Sequence, residues 1–177
     1  MPIQYWVMKQ ILLDTKEERI SLNWPKMLLI KLSKAEVLDG IELMEIIPDI
    51  KNVKNLSARV SPKALAEAQN QQKQAEGEEI LKRLTTSDNL VLLDENGKTF
   101  SSIGFSEFLQ KKMNSGLKNL VFVIGGPYGF SDAIYARANG KVSLSAMTFS
   151  HQMVRLFVVE QLYRGFTILR NEPYHHR

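Results

Sequence analysis

The chain contains no cysteine. This absence excludes disulfides, thiolate metal sites and cysteine nucleophiles, and it fits a reducing compartment. Histidine is also scarce, with three residues in the whole chain, and all of them lie beyond residue 150. Two of these, His175 and His176, are adjacent but have no acidic or thiol residue beside them, which is weak support for zinc. We therefore expect no metal.

Long apolar runs are missing as well. No apolar stretch reaches the roughly 20 residues that span a bilayer, and residues 1–8 lack the basic-then-apolar layout of a secretion signal. We therefore expect a cytoplasmic protein with no membrane partner. Acidic residues number 19 against 23 basic ones, a net charge of +4. That balance mildly favours a polyanionic partner such as nucleic acid.

What is present suits one globular domain: 177 residues, of which 44% are hydrophobic and 24% charged. Short apolar runs alternate with helical segments, which indicates an α/β fold with a largely parallel sheet and helices on both faces. The predicted strands cover 41–47, 90–93, 120–124 and 142–144. The predicted helices begin with capping serines at Ser61, Ser102, Ser131 and Ser150, and run to about 84, 116, 139 and 165.

Two other segments refine this outline. Asp94–Gly97 predicts a turn that ends the strand before it. Gly77 lies in the middle of a long helix, where glycine costs about 1 kcal/mol relative to alanine, so it indicates close packing or a ligand-facing backbone. Residues 10–13 and 27–32 can each be strand or helix, and Trp24-Pro25 would interrupt any helix between them.

The loop after the strand at 120–124 is the first candidate site. Gly125-Gly-Pro-Tyr-Gly129 places bare backbone N–H groups at the carboxyl edge of the sheet, where α/β folds bind ligands. Its glycine spacing fits neither a dinucleotide-binding fingerprint nor a Walker loop. On spacing alone, an ordinary strand-to-helix turn explains it equally well.

The second candidate segment, residues 144–150, joins the last strand to the last helix. The plain interpretation is helix capping, with Ser150 as the N-cap. Alternatively, its backbone groups and the side chains of Met147 and Phe149 wrap an uncharged ligand. Spacing favours capping and leaves the second interpretation open.

The last predicted helix is apolar on nearly all sides from Met153 to Leu162. Such a helix is buried in a core or at a subunit contact, and a dimer interface would cover its second face. His151 and Arg155 stand at i and i+4 on one face, as do Glu160 and Arg164. The second pair is more typical of a structural ion pair than of chemistry. The chain end after it can be a disordered segment or the remnant of a tag.

In their order and spacing, these segments resemble the SPOUT superfamily of knotted methyltransferases, and its RlmH type most. The resemblance extends from about Ile41 to the end of the chain. The matching runs are Leu93-Asp94…Gly97-Lys98, Phe122–Gly129, Ser143–Phe149, His151–Arg155, Glu160–Arg164 and Pro173–His175, with looser matches at Ile41–Asp49 and Glu76-Gly-Glu78.

The resemblance implies a C-terminal trefoil knot, formed by about residues 90–177, that binds S-adenosylmethionine. It implies a homodimer formed through the knot helices, and methylation of N3 of a pseudouridine in 23S ribosomal RNA, within the large subunit or the assembled ribosome. The implied cofactor contacts are Leu93, Gly125, Leu144, Ser145, Ala146, Met147, Thr148 and Phe149.

Catalysis is expected from His151, Arg155, Tyr174 and His175. N3 of pseudouridine is an imide nitrogen that must lose its proton before it attacks a methyl group. The three histidines are the available bases with a pKa near 7. Arg155 or Arg164 can instead stabilise the imide anion, and Tyr174 can stack on a base. The residues leave the identity of the base open.

Residues 1–40 depart from the family pattern, which opens with a strand running into Val-Gly-Lys. The best counterpart here starts at Met8-Lys9 and has no glycine. We expect residues 1–177 to form a single SPOUT domain with an atypical first 40 residues. Two other functions stay open: a non-catalytic RNA-binding or ribosome-binding module that keeps the pocket, and a same-fold methyltransferase acting on another RNA such as tRNA. A metal hydrolase built on His175 and His176 is a distant third.

Overall fold

The structure, a computed structural model, describes residues 27–33, 41–46 and 61–175. In chain order its elements are β1 (Met27–Ser33), β2 (Ile41–Ile46), α1 (Pro62–Arg83), β3 (Asp88–Thr99), α2 (Ser102–Asn114), β4 (Asn119–Ile124), α3 (Asp132–Arg137), β5 (Gly140–Ser143) and α4 (His151–Leu169). Residues 27–32 are therefore strand rather than helix. The expectations for residues 10–13 and for Trp24-Pro25 lie outside the described residues.

Within the described residues, five strands form one sheet in the order β2-β1-β4-β3-β5. β3 pairs in parallel with both β4 and β5, whereas β1 is antiparallel to β2 and to β4. Four strands therefore run in one direction and β1 alone runs against them, which confirms the largely parallel α/β sheet. The chain passes from β3 to β4 on one side and then returns to β5 on the other, so the strand order reverses at β3. Ligand crevices form at such reversals.

β4 and the first half of β3 are buried on both faces, which explains why residues 90–93 and 120–124 are continuous apolar runs. Alternate side chains point to opposite faces. One face packs on α1 and α3 and contains Leu90, Leu92, Val121 and Val123 with Ile80, Phe130 and Ile134. The other packs on α2 and α4 and contains Val91, Leu120, Phe122 and Ile124 with Phe105, Leu109, Val158, Val159 and Leu162. The prediction of helices on both faces is confirmed.

Serine caps begin the helices, largely as predicted. Ser61 Oγ accepts a hydrogen bond from the Ala64 N–H at 3.3 Å, with proline in the first turn of α1. The cap of α2 is Ser101, which accepts from the Gly104 N–H at 3.1 Å, so the prediction of Ser102 was one residue late. In α3 Ser131 stands at the N-cap but makes no capping side-chain bond.

Two glycines, Gly77 and Gly165, allow close packing between helices and their neighbours. A Cβ on Gly77 would collide with Ser131 Oγ at the start of α3, so of the two interpretations of this glycine the close packing is confirmed. At Gly165, where α4 was expected to end, the helix continues to Leu169. A Cβ at Gly165 would lie 2.8 Å from Leu109 Cδ1 of α2, so this glycine admits a close helix–helix contact instead of ending the helix.

β3 does not end at Leu93 as predicted. Its pairing with β5 is interrupted between Leu93 and Lys98 and then resumes to Thr99, so residues 94–97 form an irregularity inside one long strand. The knot and the single-domain division stay predictions. Within the described ranges, no helix has both the length and the apolarity that crossing a membrane requires.

Candidate functional site

A cleft of about 570 Å³ opens where the carboxyl ends of β4 and β5 meet the irregular part of β3. Three segments wall it: residues 93–96 within β3, residues 124–130 after β4, and residues 142–149 without Ala146 at the end of β5 and beyond it. Tyr135 of α3 and Val154 of α4 complete the lining. This volume lies within the range of small-molecule and cofactor sites.

Seven of the eight residues predicted to contact a cofactor line this cleft. They are Leu93, Gly125, Leu144, Ser145, Met147, Thr148 and Phe149. Ala146 belongs to the same loop but is not part of the lining. The fold thus brings together segments far apart in the chain, while their role in holding a cofactor stays a prediction.

The glycine loop is a tight turn against the core. Gly129 has φ +77°, and its N–H donates to the Gly126 carbonyl at 3.2 Å. Glycine adopts this left-handed conformation without the steric penalty of a side chain. A Cβ on Gly125 would lie 2.9 Å from the Phe130 ring, so a larger residue there would push the buried ring aside.

The 144–149 loop is shaped by local hydrogen bonds. Ser143 Oγ donates to the Ser145 carbonyl at 3.0 Å, and the Met147 N–H donates to Ser145 Oγ at 2.9 Å. Ser150 caps α4 by accepting from the Met153 N–H at 3.4 Å, so the capping interpretation is confirmed for this residue. Met147 is nevertheless 73% exposed, which leaves a large apolar side chain beside the cleft.

An Asp94–Tyr135 pair at the cleft was missed by the sequence reasoning. Tyr135 Oη donates to Asp94 Oδ2 at 2.6 Å, and the Asn96 N–H donates to Asp94 Oδ1 at 2.8 Å. Partial burial and the hydrogen bond to Asp94 raise the pKa of Tyr135 to about 12, so the phenol stays a donor at neutral pH. Asp94 directly follows the apolar run 90–93. Like Gly125, it comes directly after a predicted strand, at the sheet edge where α/β folds bind ligands, so the same argument could have identified it.

The charge of the lining limits which ligands suit the cleft. Asp94 and Glu95 are its two ionisable carboxylates, and the described residues that line it include no lysine, arginine or histidine. A phosphate-bearing ligand would be repelled by this lining, whereas a cationic ligand would be attracted. Among the residues that the structure describes, no group of three or more His, Cys, Asp or Glu side chains could hold a metal ion.

The predicted catalytic residues divide between the two ends of α4. His151 is its first residue, and Arg155 is 5% exposed one turn later, next to the cleft residue Val154. Tyr174 and His175 lie at the far end beside Arg164. Ten residues of helix from 154 to 164 correspond to about 15 Å. Neither Tyr174 nor His175 is among the described residues that line the cleft of the same chain.

The tail, residues 170–175, is folded back onto α4. Asn171, with φ 58°, reverses the chain, and the Glu172 N–H donates to the Thr167 carbonyl at 2.9 Å. The Tyr174 ring then lies 4.8 Å from the Tyr163 ring. These contacts favour a positioned segment over a disordered end. His176 lies outside the described residues.

Arg164 is the centre of this tail cluster. Its Nε donates to Glu160 Oε1 at 2.8 Å, its Nη2 pairs with the same oxygen, and its guanidinium lies 4.8 Å from the centre of the Tyr174 ring. Arg164 Nη1 is 3.5 Å from His175 Nδ1. The hydrogen bond to Glu160 raises the pKa of Arg164 above its ordinary value, so its charge is permanent at working pH. The predicted Glu160–Arg164 ion pair is confirmed.

The sequence matches a known family model and several named proteins. A family model described as "Predicted SPOUT methyltransferase" matches residues 31–175. Ribosomal RNA large subunit methyltransferase H of Flavobacterium johnsoniae is 72% identical over 134 residues, which cover 76% of this chain and 78% of that protein. The proteins of the same name from Parabacteroides distasonis and Bacteroides thetaiotaomicron are 61% and 54% identical over 133 residues, again 75% of this chain and 78% of theirs.

Proposed function

The chain belongs to the SPOUT methyltransferase family, and on that premise we propose that it methylates ribosomal RNA of the large ribosomal subunit, at N3 of a pseudouridine. Relatives at 54% to 72% identity carry the name of a large-subunit ribosomal RNA methyltransferase. The observation that carries the proposal is the cleft, because segments of β3, β4 and β5 that match the family motifs converge on it. With a ribosomal substrate, we expect the reaction to take place in the cytoplasm.

S-adenosylmethionine is the methyl donor that this cleft suits. When bound, it supplies a methyl group on a positively charged sulfur. Leu93 and Leu144 offer apolar surfaces for a flat ring, and the backbone of the 125–129 loop offers hydrogen-bonding groups. The carboxylates of Asp94 and Glu95 suit the cationic part of the ligand, and the lining opposes cofactors that carry phosphates.

A homodimer would complete the site. Apolar side chains stay partly exposed beside the cleft and at the start of α4, including Met147, Phe149 and Met153 at 73%, 40% and 44%. Pairing two such faces about a two-fold axis would bury them. An antiparallel contact between two α4 helices would set the start of one helix against the end of the other. The tail of one chain would then reach the cleft of its partner.

In this arrangement the tail handles the RNA base. Arg164 carries a permanent charge next to Tyr174 and His175, and such a charge stabilises an imide anion as the proton leaves N3. Tyr174 offers a ring face for stacking on the base. Proton removal falls to His151 or His175, and Arg155 is a second source of positive charge. Holding donor and acceptor in line supplies most of the rate.

Methyl uptake from labelled S-adenosylmethionine tests the proposal. The acceptors are large subunits, small subunits, assembled ribosomes and bulk tRNA, all from cells that lack the modification. We expect label in large-subunit RNA, delivered as free subunits or as assembled ribosomes. Label in tRNA alone would instead make the chain a methyltransferase for another RNA. Donor binding by calorimetry without any label would make it a binding module.

A further inference from the structure

The glycine loop of the cleft rests on a buried carboxylate supplied by α1. Glu76 and Gln72 are each 2% exposed, and Gln72 Nε2 donates to Glu76 Oε1 at 2.7 Å. A Cβ on Gly126 would lie 2.8 Å from Glu76 Oε1 and closer still to Oε2. The carboxylate is therefore in direct contact with the backbone of the loop, and Glu76 is not among the residues that line the cleft.

The next residue of α1 contacts the other end of the same loop. A Cβ on Gly77 would collide with Ser131 Oγ, and Ser131 is 3% exposed. Two consecutive positions of α1 thus hold the beginning and the end of residues 125–131. The other side of this loop, from Gly125 to Phe130, forms one wall of the cleft.

Packing alone does not explain a carboxylate at this position. Burying an ionised or hydrogen-bonding group is unfavourable unless every polar atom is satisfied, and an apolar pair of similar volume is often as stable or more stable. A carboxylate accepts hydrogen bonds through two oxygens and donates none when ionised. An ionised carboxylate therefore favours a neighbouring backbone that turns its N–H groups, and not its carbonyl oxygens, toward it. An apolar side chain has no such preference.

We propose that Glu76, supported by Gln72, is a positioning residue for the methyl donor: it fixes the Gly125–Ser131 loop from behind in the conformation that binds the donor. This inference rests on the proposed function of the cleft. Glu76 is not part of the cleft lining, so its replacement should weaken donor binding and leave the chemical step intact.

The test compares Glu76→Gln with wild type by calorimetry of S-adenosylmethionine binding and by steady-state methyl transfer. Glutamine has the same shape but replaces one carboxylate oxygen with an N–H₂ group, which donates instead of accepting. We expect the Kd and the donor KM to rise about tenfold, with kcat at saturating donor changed by less than about twofold. Glu78→Gln, on the exposed side of the same helix, is the matched control and should match wild type.

A merely structural role would give a different result. It would lower the Tm of Glu76→Gln while the folded protein kept its Kd and KM, and that outcome would overturn the proposal. Gly126→Ala approaches the same contact from the loop side. It should raise the donor Kd by a similar factor, and the two changes combined should be less than additive. A wild-type protein that binds no donor would overturn the proposed function and this inference together, whereas a loss confined to Glu76 and Gly126 variants supports both.

Discussion

At the scale of single residues, Asp94 is held through both of its carboxylate oxygens, one bonded to Tyr135 and the other to the Asn96 N–H. The carboxylate is therefore oriented before any ligand arrives, and its charge faces a cleft without basic side chains among its described lining. If the cleft binds the methyl donor as proposed, such an arrangement would distinguish a sulfonium donor from its neutral thioether product by charge rather than by shape.

Asp94→Asn should accordingly weaken S-adenosylmethionine more than S-adenosylhomocysteine. A partly solvated charge interaction is worth about 1 kcal/mol, so we expect the Kd for the sulfonium to rise about fivefold and that for the thioether to change less than about twofold. Calorimetry with both ligands measures this. Glu107→Gln, an equal charge change on the exposed face of α2, is the control. Equal losses for both ligands would mean that Asp94 does not recognise the sulfonium charge.

Tyr135 gives a pH-dependent prediction. Its pKa is raised to about 12 from 10, so the fold favours the protonated phenol. The stability that it contributes is complete below pH 10 and is lost as the pH rises through 12. In urea unfolding, the advantage of wild type over Tyr135→Phe should therefore shrink between pH 8 and pH 11.5. An advantage that is constant over this range would refute the raised pKa, since the remaining titrating groups are common to both proteins.

At the scale of elements, the boundaries that depend on residues close in sequence were predicted correctly. A serine before a helix accepts a bond from an N–H three residues on, and Ser61 and Ser150 do so. The boundaries that depend on contact with another helix or strand were predicted wrongly. Gly165 looked like a helix end because its contact with Leu109 of α2 has no local pattern. The turn at Asp94–Gly97 looked terminal because the resumed pairing with β5 depends on tertiary structure.

The tail that follows α4 supports a prediction that donor binding depends on the first end of this helix and methyl transfer also on the second. Truncation after Pro173 removes Tyr174 and His175 but touches no residue of the cleft lining. We expect donor affinity within about twofold of wild type and methyl transfer reduced by at least about 100-fold. Calorimetry and labelled-methyl uptake on the same preparation check both parts. Normal methyl transfer by the truncated protein would remove the tail from the mechanism.

At the scale of the whole molecule, the class of fold followed from apolar runs alternating with helices. The pairing order did not follow, because β1 joins the sheet beside β4 across a long stretch of chain. The cleft could be anticipated from Gly125 and the 144–149 loop, since both follow predicted strands. The separation of Tyr174 and His175 from the cleft could not, because it depends on the length of α4 and on the reversal at Asn171.

A dimer that shares its sites predicts subunit complementation. Gly125→Arg should block the cleft while its tail stays intact, and the truncation after Pro173 has the opposite defect. Each homodimer should be inactive, whereas coexpressed chains should regain about a quarter of wild-type activity through mixed dimers with one complete site. Circular dichroism and sedimentation of each variant show whether it is folded and dimeric. Folded mixed dimers without activity would place both halves of a site on one chain.

The measurement that tests the central claim most directly is identification of the methylated nucleoside. Large subunits from cells lacking the modification are incubated with the protein and S-adenosylmethionine, and the RNA is digested to nucleosides for mass spectrometry. The account predicts one new product, a pseudouridine methylated at N3, at no more than one per large subunit, and none with the protein truncated after Pro173. Methylation of a different nucleoside, or none despite donor binding, would contradict it.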